Sequence, residues 1–598
     1  MSNRKRLLLF AVLSCCFVLL AASGPALCQD PAGASAPAPQ PGPPDTPDPD
    51  RFLISTVDFR GDVEWLNRMR MQDAIRSEIA GKTLTEQDIL DIVTRHQDLC
   101  TKAGYYLARL KIVPADLRPG VLTIEVDKGR VGRMSFFDGN GPRGADGNGR
   151  VPFAGTYYSE AQLRRQLRLM KEEDTFNYEE FYRTVFALNA HPDIKMDTNL
   201  SLRKDASSGS ERRYADMEFF VREGTPVHGV AEVKNTGTES TEEWRTSLTF
   251  QHLNLTRHND ILTFNTLSSL DLSSLLSFAA SYNLPFNTGN GGSFTIYGGY
   301  SDVTAEEVVP EIDLIGIGWF ACIQASYNLQ ANKRRLLSVA VSATYKGVEN
   351  KLSFNNKCDT GNTVEQTDQV TLIPMAAALS YSSVKPDCLG GRNFLASQTA
   401  FSVGGSDSDE LAAQRVNAKA DYMIERLQLA RLQPLFGRTG KDGARSGEWI
   451  LFLKADGQLA NAPLVPAEQK AVGGMDSARG YQERECLGDD GVSGTIELRT
   501  PLAGSPFARL FNTTGKGDTP AEGAARIQFV AFVDGGYVSL KEPVVGIDSS
   551  QSLLGVGAGL RVAAISHLQL RFDWGFPFIE TTTSESSGRG HLSIQGQF

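Results

Sequence analysis

The chain has 598 residues, so at ~100–200 residues per domain it should fold as three or four units. Its 60 Lys and Arg against 70 Asp and Glu leave a net charge of -10, with no basic footprint for neutralising phosphates, which argues against a nucleic-acid binder. Beyond the N-terminus no run of ~18 apolar residues occurs, which excludes a polytopic helical membrane protein. A membrane β-barrel stays open, because its apolar residues alternate and never form a run.

Arg4, Lys5 and Arg6 precede an apolar stretch from Leu7 to Ala22, followed by the small residues Ser23, Gly24 and Ala26. This is the pattern of a secretory signal peptide, assigned to residues 1–28, with cleavage after Ala26 or after Cys28. Of 8 Cys, Cys15, Cys16 and Cys28 fall in that leader. Cys100, Cys322, Cys358, Cys388 and Cys486 are scattered, with no CxxC spacing, and form neither a disulfide framework nor a zinc site. Cys358 and Cys388 are candidates to pair in one outer loop. Residues 29–50 hold eight prolines among Ala, Gly and Asp, a composition suited to an extended tether.

Two small modules follow, at 51–129 and 130–224. In the first, Phe52 to Phe59 reads as a strand and Met71 to Ile79 as a helix stopped by Gly81. Thr85 with Asp88 forms a capping-box pattern ahead of a second helix, whose apolar positions Ile89, Ile92, Val93, His96, Leu99, Cys100 and Ala103 recur at helical spacing. Strands at Tyr106 to Val113 and Val121 to Val126 complete the order β-α-α-β-β. The second module repeats it: a strand at Met134 to Phe137, a helix opened by Ser159, a helix from Tyr178 to Ala190, and strands near Ile194 to Leu202 and Tyr214 to Val221. The Gly-rich stretch 138–149 lacks a P-loop Lys. Arg60-Gly61-Asp62 spells an adhesion tripeptide but reads as the end of a strand.

From 225 to 598 the period is two. In Leu568 to Phe578, Leu568, Leu570, Phe572, Trp574, Phe576 and Phe578 share one face, opposite Gln569, Arg571, Asp573, Gly575 and Pro577. Trp449 to Leu459, Leu337 to Lys346 and His591 to Phe598 alternate likewise. Large aromatic residues on one face and mid-strand charge on the other fit lipid outside and a wet lumen inside. At ~9–11 residues per strand plus connections, the region suits roughly 16 antiparallel strands. Closure leaves no unpaired edge in the bilayer.

Inside this region lie Gly473-Gly474-Met475-Asp476-Ser477-Ala478-Arg479-Gly480-Tyr481, then Gly488-Asp489 and Glu497, and later Phe532-Val533-Asp534-Gly535-Gly536. The first and last resemble the VRGY loop and FxDxG strand motifs of the superfamily that includes BamA and the two-partner secretion transporters. Val233 to Asp260, with Asn235-Thr236-Gly237, Arg245 and Asn254-Leu255, resembles the first barrel hairpin of the secretion branch. Two POTRA-like modules before the barrel complete the likeness. The chain therefore resembles the TpsB transporters of the ShlB/FhaC/HecB haemolysin secretion/activation family.

That resemblance implies an outer-membrane transporter, POTRA domains in the periplasm, that takes a TpsA-like exoprotein unfolded through its barrel. Its other expected partners are outer-membrane lipid and the barrel assembly machinery, with no cofactor, metal or nucleic acid. It also implies a lumenal loop around 473–490 carrying Ala478, Arg479, Gly480 and Tyr481, facing Phe532, Asp534 and Gly536 on the wall. Ala478 stands where the family usually has Val. Strand parity places Asp534 in the lumen, where a carboxylate between low-dielectric walls favours the planar fork of an arginine. Arg479 is expected to pair with Asp534, and Glu497 to join them. Leu592, Ile594 and the terminal Phe598 resemble the signal that barrels present to their assembly machinery. Residues 30–50 are too proline-rich to supply the plug helix often found in the family. Gly555 to Gly559 resembles a nucleotide fingerprint, but a strand follows where a helix is required. No nucleophile–base pair stands out, so an enzyme is not expected. The alternative function is an assembly factor that inserts other barrels.

Overall fold

The computed structural model describes residues 51–598 except 114–119, 142–149, 168–169, 190, 206–210, 287–290, 310–311, 333, 355–363, 437, 440–444, 447, 502, 505–525, 565–566, 582 and 585–586. The leader, the proline-rich tether and Cys358 thus lie outside the described residues. The chain divides between Pro226 and Val227 into two units.

In the N-terminal unit the first module comprises β1 (Arg51–Ile54), β2 (Thr56–Gly61), α1 (Val63–Arg68), α2 (Met71–Ile79), β3 (Lys82–Thr85), α3 (Glu86–Lys102), β4 (Arg109–Ile112) and β5 (Val121–Asp127). The second comprises β6 (Arg130–Asp138), α4 (Glu160–Gln166), α5 (Tyr178–Asn189), β7 (Ile194–Asp205) and β8 (Arg212–Glu223). Both build the same sheet. The first strand pairs parallel with the last, and the middle strand runs antiparallel along the other side, giving the orders β2-β5-β4 and β6-β8-β7.

Local chemistry explains where these elements start and stop. Thr85 Oγ1 accepts from Asp88 N at 3.1 Å and Asp88 Oδ2 from Thr85 N at 3.0 Å, a capping box that satisfies donors the first turn of α3 leaves open. Ile89, Ile92, Val93, His96 and Cys100 turn inward from α3, whereas Leu99, expected on that stripe, is exposed. The single strand expected from Phe52 to Phe59 is two. Ser55 and Thr56 N–H both donate to Gly120 O, and β1 leaves the sheet to pair with β3. The strand expected from Tyr106 begins only at Arg109, after a turn in which Ala108 N–H donates to Tyr105 O. Asp62 of the Arg-Gly-Asp tripeptide has a structural role. With Asp127 it binds the buried Arg130 guanidinium where the two modules join.

The C-terminal unit is a closed antiparallel barrel of 16 strands. In order these are β9 (Val227–Lys234), β10 (Arg245–His252), β11 (Ile261–Ser269), β12 (Leu275–Phe286), β13 (Gly292–Val309), β14 (Ile312–Ala331), β15 (Arg335–Phe354), β16 (Val364–Ser383) and β17 (Arg392–Gly405). After helix α6 (Ser408–Gln414) come β18 (Met423–Pro434), a short hairpin β19 (Arg438–Thr439) and β20 (Arg445–Ser446), and β21 (Ile450–Ala460). A second hairpin that is not part of the wall, β22 (Lys470–Val472) and β23 (Cys486–Gly488), precedes β24 (Asp490–Arg499), which β25 (Ala503–Gly504) continues. The wall ends with β26 (Arg526–Ser539), β27 (Ser550–Ala564), β28 (Leu568–Pro577) and β29 (Arg589–Gln597). β29 closes on β9 with Ser593 opposite Lys234.

The wall strands of the closing half of the barrel alternate between two environments. On β26, Phe529, Ala531, Val533 and Tyr537 face outward and exposed, while Val530, Phe532, Asp534 and Val538 are buried. Phe264, Phe294, Ile296, Ile323 and Val341 add to an apolar outer skin, and Gln458, Thr495, Glu497, Asp573 and His591 to a polar interior. That is the reverse of a soluble domain and suits a lipid-facing barrel. Strands alternate in direction, so connections 406–422, 461–489 and 540–549 all emerge at the mouth opposite Val227, the distal mouth.

Candidate functional site

The connection 461–489 does not stay at the distal mouth but turns back into the barrel. β22 and β23 pair as its stem, Lys470 opposite Gly488 and Val472 opposite Cys486. Gly473 and Gly474, at φ of +120° and +97°, reverse the chain, and Gly474 N–H donates to Ala478 O at 3.1 Å. Ala478 and Tyr481 pack into a cluster with Val472, Cys486, Val538 and Leu553, so the loop carries its own apolar anchor to the wall.

The tip of this loop presents Arg479, which is 2% exposed and sits among three carboxylates. Nε reaches Asp534 Oδ2 at 2.7 Å and Nη2 reaches Oδ1 at 2.9 Å, a bidentate fork, and the Arg479 backbone N–H donates to Oδ2 at 3.1 Å. Nη1 donates to Glu497 Oε1 at 2.7 Å and, longer, to Asp573 Oδ2 at 3.4 Å. The guanidinium lies over the Phe532 ring, 3.5 Å from its centroid, where the face of the ring attracts a cation. Arg499 binds Glu497, and Arg561 and Arg571 bind Asp573. Isolated buried charge is costly in a low-dielectric interior, and here each carboxylate has a counter-charge.

Strand register explains why these residues meet. Glu497 on β24 stands opposite Phe532 on β26, and Thr495 opposite Asp534. Phe532 then faces Gly557, and Asp534 faces Gly555, on β27. Gly559 faces Asp573 on β28, which in turn faces His591 on β29. The alternate glycines of β27 make a trench along the lumenal wall. A Cβ on Gly555 would lie 2.1 Å from Arg479 O, one on Gly557 would meet the Phe532 ring at 2.5 Å, and one on Gly559 would strike Asp573. The stretch that resembles a nucleotide fingerprint is therefore space for the loop. Gly480, at φ +98°, crosses this wall so closely that a Cβ would lie 2.9 Å from Gly575 C, and its N–H donates to His591 Nε2 at 3.1 Å. Gly536 leaves room for Val472, whose Cγ1 would be 2.2 Å from an added Cβ.

Tyr481 is fully buried, and its hydroxyl lies 2.9 Å from Leu554 O and 2.7 Å from Ile579 O, with Leu554 N–H donating to it at 3.1 Å. The structure thus brings Ala478, Arg479, Gly480, Tyr481, Phe532, Asp534, Gly536 and Glu497 into one site. Leu592, Ile594 and Phe598 are elsewhere, at the seam. Phe598 exchanges backbone hydrogen bonds with Gly229 at 2.8 and 2.9 Å and lays its ring against that glycine. Asn235 bridges the same seam, accepting from Leu592 N at 2.6 Å and donating to Gly590 O at 2.8 Å. Sequence reasoning does not assign Asp573, Arg561, Arg571 or His591 to the site. Parity puts Asp573 and Arg571 on the wet face of their strand, which is the signal that points to them. Among the described residues no cluster of His, Cys, Asp and Glu is disposed as metal ligands, and the chemistry of the site is ion pairing.

With this geometry in place, comparison with known proteins is decisive. The family described as haemolysin secretion/activation protein ShlB/FhaC/HecB matches residues 214–361 and 412–562, and the ShlB-type POTRA domain matches residues 52–129. The chain belongs to the ShlB/FhaC/HecB family. It is an outer-membrane β-barrel preceded by POTRA architecture, and the match spans the inserted loop and the wall strands β24 and β26, ending within β27. Two solved structures share the fold of this ShlB-family chain. CdiB from Escherichia coli is 16% identical with a TM-score of 0.65, over 100% of this chain and 98% of that one. CdiB from Acinetobacter baumannii is 17% identical with a TM-score of 0.63, over 100% of this chain and 99% of that one. No curated protein matches the sequence.

Proposed function

We propose that this ShlB-family barrel exports one large partner protein, recognised in the periplasm by the N-terminal modules and passed unfolded through the lumen to the cell surface. The observation that carries this reading is what fills the barrel. Its wall is polar on the inside, and against that wall lies a loop held by an ion-pair clamp, contents that can move aside as fixed wall side chains cannot. With no nucleotide supply in the periplasm, folding of the emerged partner outside the cell would give direction.

Recognition is supported by a groove of about 980 Å³ between α3 and β4, an edge strand of its sheet. Ile89, Leu90, Val93 and Leu110 form its floor and Arg51, Arg109, Lys111 and Arg213 its basic rim. Burial and, next, the neighbouring Arg213 hold the Arg109 guanidinium below its usual range, so an incoming carboxylate would relieve two crowded cations. An extended segment with alternate apolar residues and an acidic one can add to the β4 edge in this way, taking over the bonds that Gln97 makes to Ala108 O and Leu110 N–H.

The test is Arg479→Ala. It leaves Asp534 and Glu497 buried without their common cation, a loss of about 3–5 kcal/mol from the clamp. The variant should still reach the outer membrane as a heat-modifiable barrel and release at least tenfold less partner protein. Undiminished release would overturn the role assigned to the loop.

A further inference from the structure

The likeness in sequence includes Gly488-Asp489, yet neither the Arg479 clamp nor the groove beside β4 uses that aspartate. Asp489 is nevertheless fully buried. Its Oδ1 accepts from Leu464 N at 2.9 Å and Gln469 Nε2 at 3.3 Å, and its Oδ2 from Lys541 N at 2.7 Å. Arg415 binds both oxygens as a fork, with Nη2 2.9 Å from Oδ2. The same guanidinium donates onward to Leu464 O and, at 3.1 Å, to Lys541 O.

These residues come from three different connections at the distal mouth. Arg415 directly follows α6 in 406–422, Leu464 and Gln469 lie on the descending limb of 461–489, and Lys541 is the second residue of 540–549. A single carboxylate therefore gathers all three. The surroundings hold the donors in place. Asp407 caps α6 through the Asp409 and Glu410 N–H groups. Leu411 of α6 is buried in a cluster with Val370 and Leu372 of β16 and with Leu464 and Val465. Asn417 Nδ2 adds a bond to Glu542 O at 3.3 Å. Asp489 also stands one residue beyond the rung between Gly488 and Lys470, so it fixes the stem from which the Arg479 tip hangs.

We propose that Asp489 is a positioning residue of export: by binding Arg415 it ties the base of the inserted loop to its two neighbouring connections, so that these connections and the loop tip open together. Its consequence for export rests on the function proposed above, whereas the coupling itself can be read without a partner. An aspartate suits this role because it offers a charged acceptor to five donors at once. Asn in its place turns an NH2 group toward donors and loses the charge that holds Arg415.

The experiment uses the full-length protein in lipid nanodiscs, comparing wild type, Asp489→Asn and Arg415→Lys by hydrogen-exchange mass spectrometry. In Asp489→Asn, peptides carrying Leu464, Lys541 and Gly480 should all exchange at least tenfold faster, while heat-modifiable migration reports an intact barrel. Arg415→Lys, which keeps the charge and loses the fork, should lie between that variant and wild type. Faster exchange at Leu464 and Lys541 with Gly480 unchanged would make Asp489 a local brace and overturn the coupling, as would no change anywhere. If Asp489→Asn gives no folded barrel, Arg415→Lys decides by the same comparison. In cells, Asp489→Asn should reduce partner release at least tenfold. Full release despite coupled exchange would overturn the positioning role. A wild type that releases no partner would instead overturn the export reading and leave the exchange result standing.

Discussion

Arg479 shows how a buried cation can be satisfied on every side where charge is expensive. Its fork is matched by Asp534, its remaining nitrogen by Glu497, and its flat face by Phe532, so no part of the guanidinium is wasted on the lumen. The residue beside it is constrained by space. Gly480 combines a left-handed φ of +98° with a backbone passage against Gly575. Gly480→Ala should therefore raise the energy of the inserted loop by about 1–3 kcal/mol, seen as protease cleavage between 473 and 485 in a barrel that is otherwise heat-modifiable; protection equal to wild type would refute this. The sequence showed that Asp534 and Asp573 face inward, because parity assigns a face to each strand residue. It could not show that both reach Arg479, since which inward residues share a row depends on the register of β24 to β28.

Elements repeat the same contrast between local and long-range causes. The capping box of α3 is a local object, four residues long, and was legible because Thr85 and Asp88 need only each other. The backbone N–H of Thr85 is the first cause that holds the Asp88 carboxyl below its ordinary range. A carboxylate lowered in the folded state contributes stability above its unfolded value and loses it as pH falls through the folded value. Asp88→Ala removes the carboxylate that accepts from Thr85 N–H and should weaken the cap, measured in the full-length protein as faster amide exchange over the first turn of α3. The difference from wild type should be largest at neutral pH and shrink as the medium is acidified below about pH 4; a difference that grows with acid would reverse the sign of this account. Breaks in the first module were not legible. The turn at Ser55 exists because Gly120, far along the chain, accepts from two N–H groups there, those of Ser55 and Thr56.

At the scale of the whole molecule the prediction concerns what leaves the cell. Deleting the gene should remove one or two very large proteins from the culture supernatant and leave the outer-membrane proteome intact. A broad fall in many outer-membrane barrels would instead identify an assembly factor. The sequence by itself determined the class of architecture: small modules of helix and strand ahead of a long region of period two, because helical spacing, caps and alternation are properties of neighbouring residues. It also marked the loop and strand motifs through their resemblance to a known family. Only the tertiary structure decided that the glycines of β27 are a trench for the loop, that β29 closes on β9, and that Asp489 joins three connections at one mouth. Those facts depend on register and closure, which bring residues hundreds of positions apart within hydrogen-bond reach, and no local pattern encodes which of them will meet.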